Sequence, residues 1–168
     1  MTHNELIREG CVNFKVVKRF KSGGVFWEHL SINMTQSDYK LVRNVGIEFA
    51  RKGEQVKSTP KVHFMSEEYQ RIYGKLSGTK YYRKCPDLLV GETFYEVEGY
   101  IPPFSKDKIK RMLRNGVSQS ENIVINNTKG SSDRYIIKLI HDRVRLGQQI
   151  NEVWLYEKGK IRMVYKKQ

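Results

Sequence analysis

Cysteine is nearly missing from this 168-residue chain, with Cys11 and Cys85 as the only two. Two thiols exclude a disulfide framework and a cysteine-built zinc cluster, and no histidine pattern beside Cys85 marks it as a nucleophile. Proline is scarce as well, with four residues, and no repeat or low-complexity segment appears. The length points to one domain large enough to bury a core. Long apolar runs are also lacking: no window approaches the ~20 apolar residues of a membrane span. Met1–Glu9 has no apolar stretch after its charges and does not read as a signal peptide. A soluble, cytoplasmic protein is expected. Acidic residues are the last shortage, with 18 Asp plus Glu against 31 Lys plus Arg, a net charge of +13 and a pI near 9.7. So basic a chain is expected to bind polyanions, because neutralising phosphates releases counterions.

Several of the few acids are gathered in one place. Pro86–Tyr100 reads as two short strands joined by a tight turn. Val90 and Thr93 flank Gly91-Glu92, and glycine at the first central position suits a type II′ turn. In that register Asp87 lies across from Glu96, with Cβ atoms ~5 Å apart. Glu96 and Glu98, two apart on a strand, point to the same face. Opposed carboxylates repel, so their gathering calls for a cation, and a hard one such as Mg²⁺ or Mn²⁺ suits oxygen ligands. The bland reading is a basic binding protein with a few solvated carboxylates.

Around this segment the pattern is mixed α/β. Residues 11–33 read as a β-hairpin turning on Lys21–Gly24. A helix begins near Thr35–Ser37, with Asp38 in its first turn, Val42, Val45, Phe49 and Ala50 on its apolar face, Glu48 at the edge of that face, and Gly53 as a stop. An extended stretch over 54–65 is broken by Pro60, and a short helix follows from Glu67 to Leu76. Tyr81-Tyr82-Arg83-Lys84 interleaves aromatic and basic residues in the manner of a chain that stacks on bases and grips phosphates. After Pro102-Pro103, Ser105 caps a helix ending at Asn115, with Gly116 as its C′ residue. Lys106, Lys108, Lys110, Arg111 and Arg114 crowd its surface against a single acid, Asp107. Ile123–Ile125 is a buried strand. A further helix, capped by Ser131 or Ser132 and carrying Tyr135, Ile136, Leu139, Ile140 and Val144, ends at Gly147, and a hairpin around Lys158-Gly159 closes the chain.

Pro-Asp on one strand and Glu-x-Glu on the next, within this element order, resembles the PD-(D/E)XK nuclease superfamily. Phe49–Val56, Gly116–Ile125 and Glu152-Val153-Trp154 also look like the nuclease toxin domains of bacterial contact-dependent inhibition and polymorphic-toxin systems. The resemblance implies a restriction-endonuclease-like core (helix, three-strand meander, helix, strand) over 35–127. Residues 1–33 and 131–168 would be additions to a single domain of 1–168. It further implies Asp87, Glu96 and the Val97 carbonyl as metal ligands. Glu98 stands where the family usually has lysine, and some members use Glu-x-Glu with the second carboxylate as ligand or general base. Lys61, Lys84 and Lys108 are candidates for the missing positive charge, and Lys108 is counted with the catalytic set. Lys84, Lys106, Lys110, Arg111, Arg114 and Gln119 are the expected nucleic-acid contacts.

The reaction implied is Mg²⁺-dependent hydrolysis of a phosphodiester bond in DNA or RNA. The toxin likeness leans towards tRNA and towards an acidic immunity protein as partner, the superfamily at large towards DNA. Two other readings stay open. One is a metal-independent, barnase-like ribonuclease toxin using His29, His63, His141 or tyrosines. The other is an inactive nucleic-acid-binding protein descended from a nuclease, with Glu98 as the mark of lost catalysis.

Overall fold

Strands rich in β-branched and aromatic residues alternate with amphipathic helices, and the computed structural model, which describes residues 10–168, assembles them into a mixed α/β fold. Met1–Glu9, read above as no signal peptide, lie outside the described residues. The strands are β1 (Phe14–Arg19), β2 (Val25–His29), β3 (Gln55–Ser58), β4 (Leu88–Val90), β5 (Thr93–Glu98), β6 (Asn122–Asn126), β7 (Glu152–Glu157) and β8 (Lys160–Lys166). The helices are α1 (Tyr39–Arg51), α2 (Glu67–Tyr73), α3 (Lys106–Val117) and α4 (Asp133–Arg145). All eight strands join one sheet whose spatial order is the chain order. Pairs β2–β3, β5–β6 and β6–β7 are parallel, and the rest are antiparallel. No helix among the described residues is long and apolar enough to cross a membrane.

Local chemistry accounts for the joints. Gly91 has φ +57 while Glu92 stays out of the left-handed region, so Val90 pairs with Thr93 across the type II′ turn that the sequence suggests. Lys158 and Gly159 both have positive φ, +52 and +72, as a two-residue I′ turn requires. Ser132 caps α4 by accepting from the Tyr135 N–H. Gly53, at φ +103, follows the end of α1.

The two faces of the sheet are covered unequally. On one, Val45, Phe49 and Ala50 of α1 pack on Phe26, Val56, Leu88, Tyr95 and Val97. On the other there are two separate clusters. Ile109, Met112 and Leu113 of α3 join α4, β6 and β7, whereas Tyr69 and Tyr73 of α2 pack against Phe94 and Leu89. Between these clusters the second face of β4 and β5 is left uncovered by apolar side chains. Asp87, Glu96 and Glu98 stand there, in step with Leu89 and Phe94 along their strands.

Two sequence expectations are corrected. β5 ends at Glu98 before Pro102-Pro103 is reached. Gly116 is not the residue past the end of α3 but a buried member of it. A Cβ there would stand 2.8 Å from Ile123 Cγ2 and 3.3 Å from Glu98 Cγ, so glycine lets α3 lie close on β5 and β6. Gly116→Ala is expected to lower stability by about 1–3 kcal/mol, the usual range for overpacking, and calorimetric melting measures it. An unchanged melting temperature would mean that the helix is not seated this closely.

Candidate active site

Asp87 is the residue just before β4, and the ladder continued beyond Leu88–Tyr95 sets it opposite Glu96. The Asp87 carboxylate accepts the Val97 N–H at 2.9 Å through Oδ2 and the Lys61 ammonium at 3.0 Å through Oδ1. Its neighbour Glu96 is 8% exposed, and its Oε2 is buried with no hydrogen-bond partner.

Burial and mutual repulsion govern the charges. Burial raises the Glu96 pKa well above the carboxylate range, and the charges of Asp87 and Glu98 raise it further. Lys61 opposes this. Burial likewise raises Asp87, with Lys61 and the Val97 N–H holding it down. Glu98 is pushed up to about 7, by burial and by the charges of Asp87 and Asp38. Burial works against the charge on Lys61, yet the attraction of Asp87 and Glu96 outweighs it and raises the ammonium pKa.

A stitched loop places Lys61. Ser58 ends β3, and Thr59 then donates its N–H to the Asp87 carbonyl at 3.0 Å and its hydroxyl to the Pro86 carbonyl at 2.6 Å. Tyr73, wholly buried in α2, donates to the Pro60 carbonyl at 2.7 Å and reaches that of Pro86 at 3.3 Å. Burial pushes its hydroxyl pKa well above the usual 10, so it remains a donor. Lys61 also donates to the Cys85 carbonyl. The two chain segments that carry Lys61 and Asp87 are therefore bound to each other through backbone, independent of either side chain.

Clefts open on both sides of the acids. One of about 870 Å³ is lined by Asp38, Glu96, Glu98, Lys108, Arg111 and Asn115. A second, of about 600 Å³, is lined by Lys61, Arg83, Lys84, Glu96, Glu98 and Gln119. A third, of about 280 Å³, is lined by Asp38, Lys61 and Asp87 among others. Of the residues expected at the site, Asp87, Glu96, Val97, Glu98, Lys108, Lys84, Arg111 and Gln119 thus come together. Val97 touches Asp87 through its N–H. Lys108 donates to the Ile101 carbonyl at 3.0 Å from the cleft wall.

Lys106, Lys110 and Arg114 line none of these clefts. They follow one another at four-residue steps on a different face of α3, and the Lys106 ammonium lies over the Tyr135 ring, 5.6 Å from its centroid. Glu48 is engaged elsewhere, with Arg51. The three histidines among the described residues line none of these clefts: His29 is bonded to Glu68 and Ser31, His63 stacks on Phe64, and the ring of His141 meets Tyr165 edge-on. Asp38 is a site residue that sequence reasoning placed only in a helix turn. It stands at the N-cap of α1 without capping it, its charge acting on Asp87 and Glu98. Among the described residues, no three His, Cys, Asp or Glu side chains converge as a closed metal site. The acids form a pair flanked by Lys61, with Glu98 and Asp38 beyond.

The raised carboxyls have a definite sign in stability. A carboxyl with a pKa raised by folding contributes most below its unfolded value, and the contribution is lost as pH rises through the folded value. For Glu98 that window runs from the usual 4.5 to about 7, and for Glu96 it extends higher. Glu96→Gln is expected to melt above wild type at pH 8 and to lose that advantage at pH 4. Equal advantages at both pH values would remove the buried repulsion. Comparisons with protein-family models, curated proteins and solved structures find no match to this chain.

Proposed function

We propose that this protein is a metal-dependent nuclease hydrolysing phosphodiester bonds, with Asp87, Glu96 and Glu98 at its centre. The observation that carries the reading is the buried Asp87–Glu96 pair, whose inner oxygen, Glu96 Oε2, has no partner in a chain of net charge +13. An unpaired carboxylate oxygen in the interior is costly, and a hard divalent cation is the partner it fits. The order α1, meander β3–β4–β5, α3, β6 supports a restriction-endonuclease-like core, with α2 inserted between β3 and β4.

Asp87 and Glu96 would hold Mg²⁺ or Mn²⁺, together with the Val97 carbonyl that the family resemblance supplies. The bound ion would neutralise charge on the phosphate and make attacking water more acidic. Glu98, poised near neutral pH, accepts the proton of the attacking water. Lys61 orients Asp87, opposes the rise that burial imposes on its pKa and brings a positive charge beside Glu96, the role that Glu98 vacates by standing where the family has lysine. Lys84, Arg83 and Arg111 line the cleft walls where phosphates flanking the scissile bond would lie. Among the described residues no histidine lines these clefts, and the acids do, which favours this reading over a histidine-based ribonuclease.

Purified protein incubated with plasmid DNA, oligonucleotides and total tRNA is expected to cleave with Mg²⁺ and not with EDTA. Glu96→Ala should abolish cleavage. Glu98→Gln is expected to slow it by about 10²–10⁴-fold, as loss of a general base does. Lys61→Met should slow it by about 10–100-fold, as loss of a residue orienting a ligand does. Cleavage that persists in EDTA and in Glu96→Ala would overturn the proposal.

A further inference from the structure

Arg83 is held in a backbone conformation that arginine seldom takes. Its φ is +76, in the left-handed region that favours glycine. The holding group is Tyr69, a fully buried tyrosine, whose hydroxyl accepts the Arg83 N–H at 2.8 Å and donates to the Lys84 carbonyl at 3.0 Å. Strained positions persist where the surroundings over-determine them, and they cluster at functional sites.

The side chain on this strained backbone packs its cation on an aromatic ring. The Arg83 guanidinium lies 4.2 Å over the Phe64 ring, and the His63 ring stacks on Phe64 with centroids 4.7 Å apart and planes 26° from parallel. The three planar groups form one stack, with His63 and Arg83 exposed and Phe64 half-buried. His63 is itself fixed, since its Nδ1 accepts the Met65 N–H at 3.1 Å. Arg83 also lines the cleft that contains Glu96 and Glu98, so the stack adjoins the acids on the side of Lys61 and Lys84. A surface with exposed aromatic and guanidinium planes, bordered by lysines, has the chemistry of a platform for bases whose faces are not covered by neighbours.

We propose that the His63–Phe64–Arg83 stack is a binding site for an unpaired nucleobase next to the scissile phosphate, which makes single-stranded nucleic acid the substrate class. The inference rests on the nuclease reading for its placement beside a reacting phosphate. A base in a duplex is already stacked on both faces, so the platform offers a duplex only charge.

The test is anisotropy binding of labelled single strands and of duplexes of equal length, RNA and DNA, in EDTA so that nothing is cut. His63→Ala and Arg83→Lys are each expected to weaken single-strand binding about ten-fold, the scale of one lost base stack, and to leave duplex binding nearly unchanged. Arg83→Lys keeps the charge, so a purely electrostatic role would spare single strands. Arg83→Gly is expected to raise the melting temperature while weakening single-strand binding, a combination that a structural role does not produce. Equal losses for single strands and duplexes, no loss for either variant, or wild-type binding no tighter to single strands than to duplexes would each overturn the platform. Mg²⁺ cleavage by the same proteins is scored separately. Cleavage with no stacking effect leaves the nuclease and removes the platform, whereas a stacking effect without cleavage does the reverse.

Discussion

Two carboxyl groups buried side by side destabilise a fold unless something of opposite charge meets them, and the neighbourhood of Asp87 and Glu96 is arranged around that constraint. Lys61 meets part of it. Its ammonium bonds Asp87, and the attraction of both acids raises its own pKa against the effect of burial. Half of the Lys61 side chain is exposed, so solvent screens the ion pair and Glu96 Oε2 is left unpaired. On the proposed reading, one further cation would complete this site. The gap between the α2 cluster and the α3–α4 cluster leaves the acids open to the clefts, and the close seat of Gly116 brings α3 down to form the wall beside Glu98.

The placement of Lys61 depends on groups that do no chemistry. Tyr73 and Thr59 fasten the loop after β3 to the Cys85-Pro86 segment before β4, so Lys61 and Asp87 face each other because their backbones are tied. Tyr69 does the equivalent for Arg83 and Lys84. Two tyrosines of one short helix therefore set the cations on one side of the acids. That helix lies between the first and second strands of the meander, which makes α2 the element that shapes the cleft rather than an inert insertion.

Much of the acidic hairpin was legible because its causes are local. Gly91 sets the turn, the turn sets the register, and the period of two puts Asp87, Glu96 and Glu98 on one face. The amphipathic helices and the two terminal hairpins were legible for the same reason. What was not legible depends on contacts between distant segments. Lys61 was one of three lysines with nothing in the chain to rank them, since its partner Asp87 is 26 residues away and the ties between them run through Thr59 and Tyr73. The cations of α3 were counted together, although Lys108 and Arg111 turn towards the acids while Lys106, Lys110 and Arg114 do not. Counting charges on a helix needs the direction of its partner surface, which only the fold supplies. Asp38 was read as a helix-start residue because Asp is common there, yet its carboxylate caps nothing.

Asp87 and Glu96 stand as a buried, repelling pair, and on the proposed reading a divalent cation would join them. Carbon-detected NMR titration of the side-chain carboxyls, with and without Mg²⁺, reads both properties in one experiment. The Glu96 carboxyl is expected to titrate well above the normal range in metal-free protein and to fall when Mg²⁺ is added, with Asp87 shifting in the same experiment. Two carboxyls that ionise near pH 4 and do not respond to Mg²⁺ would contradict it.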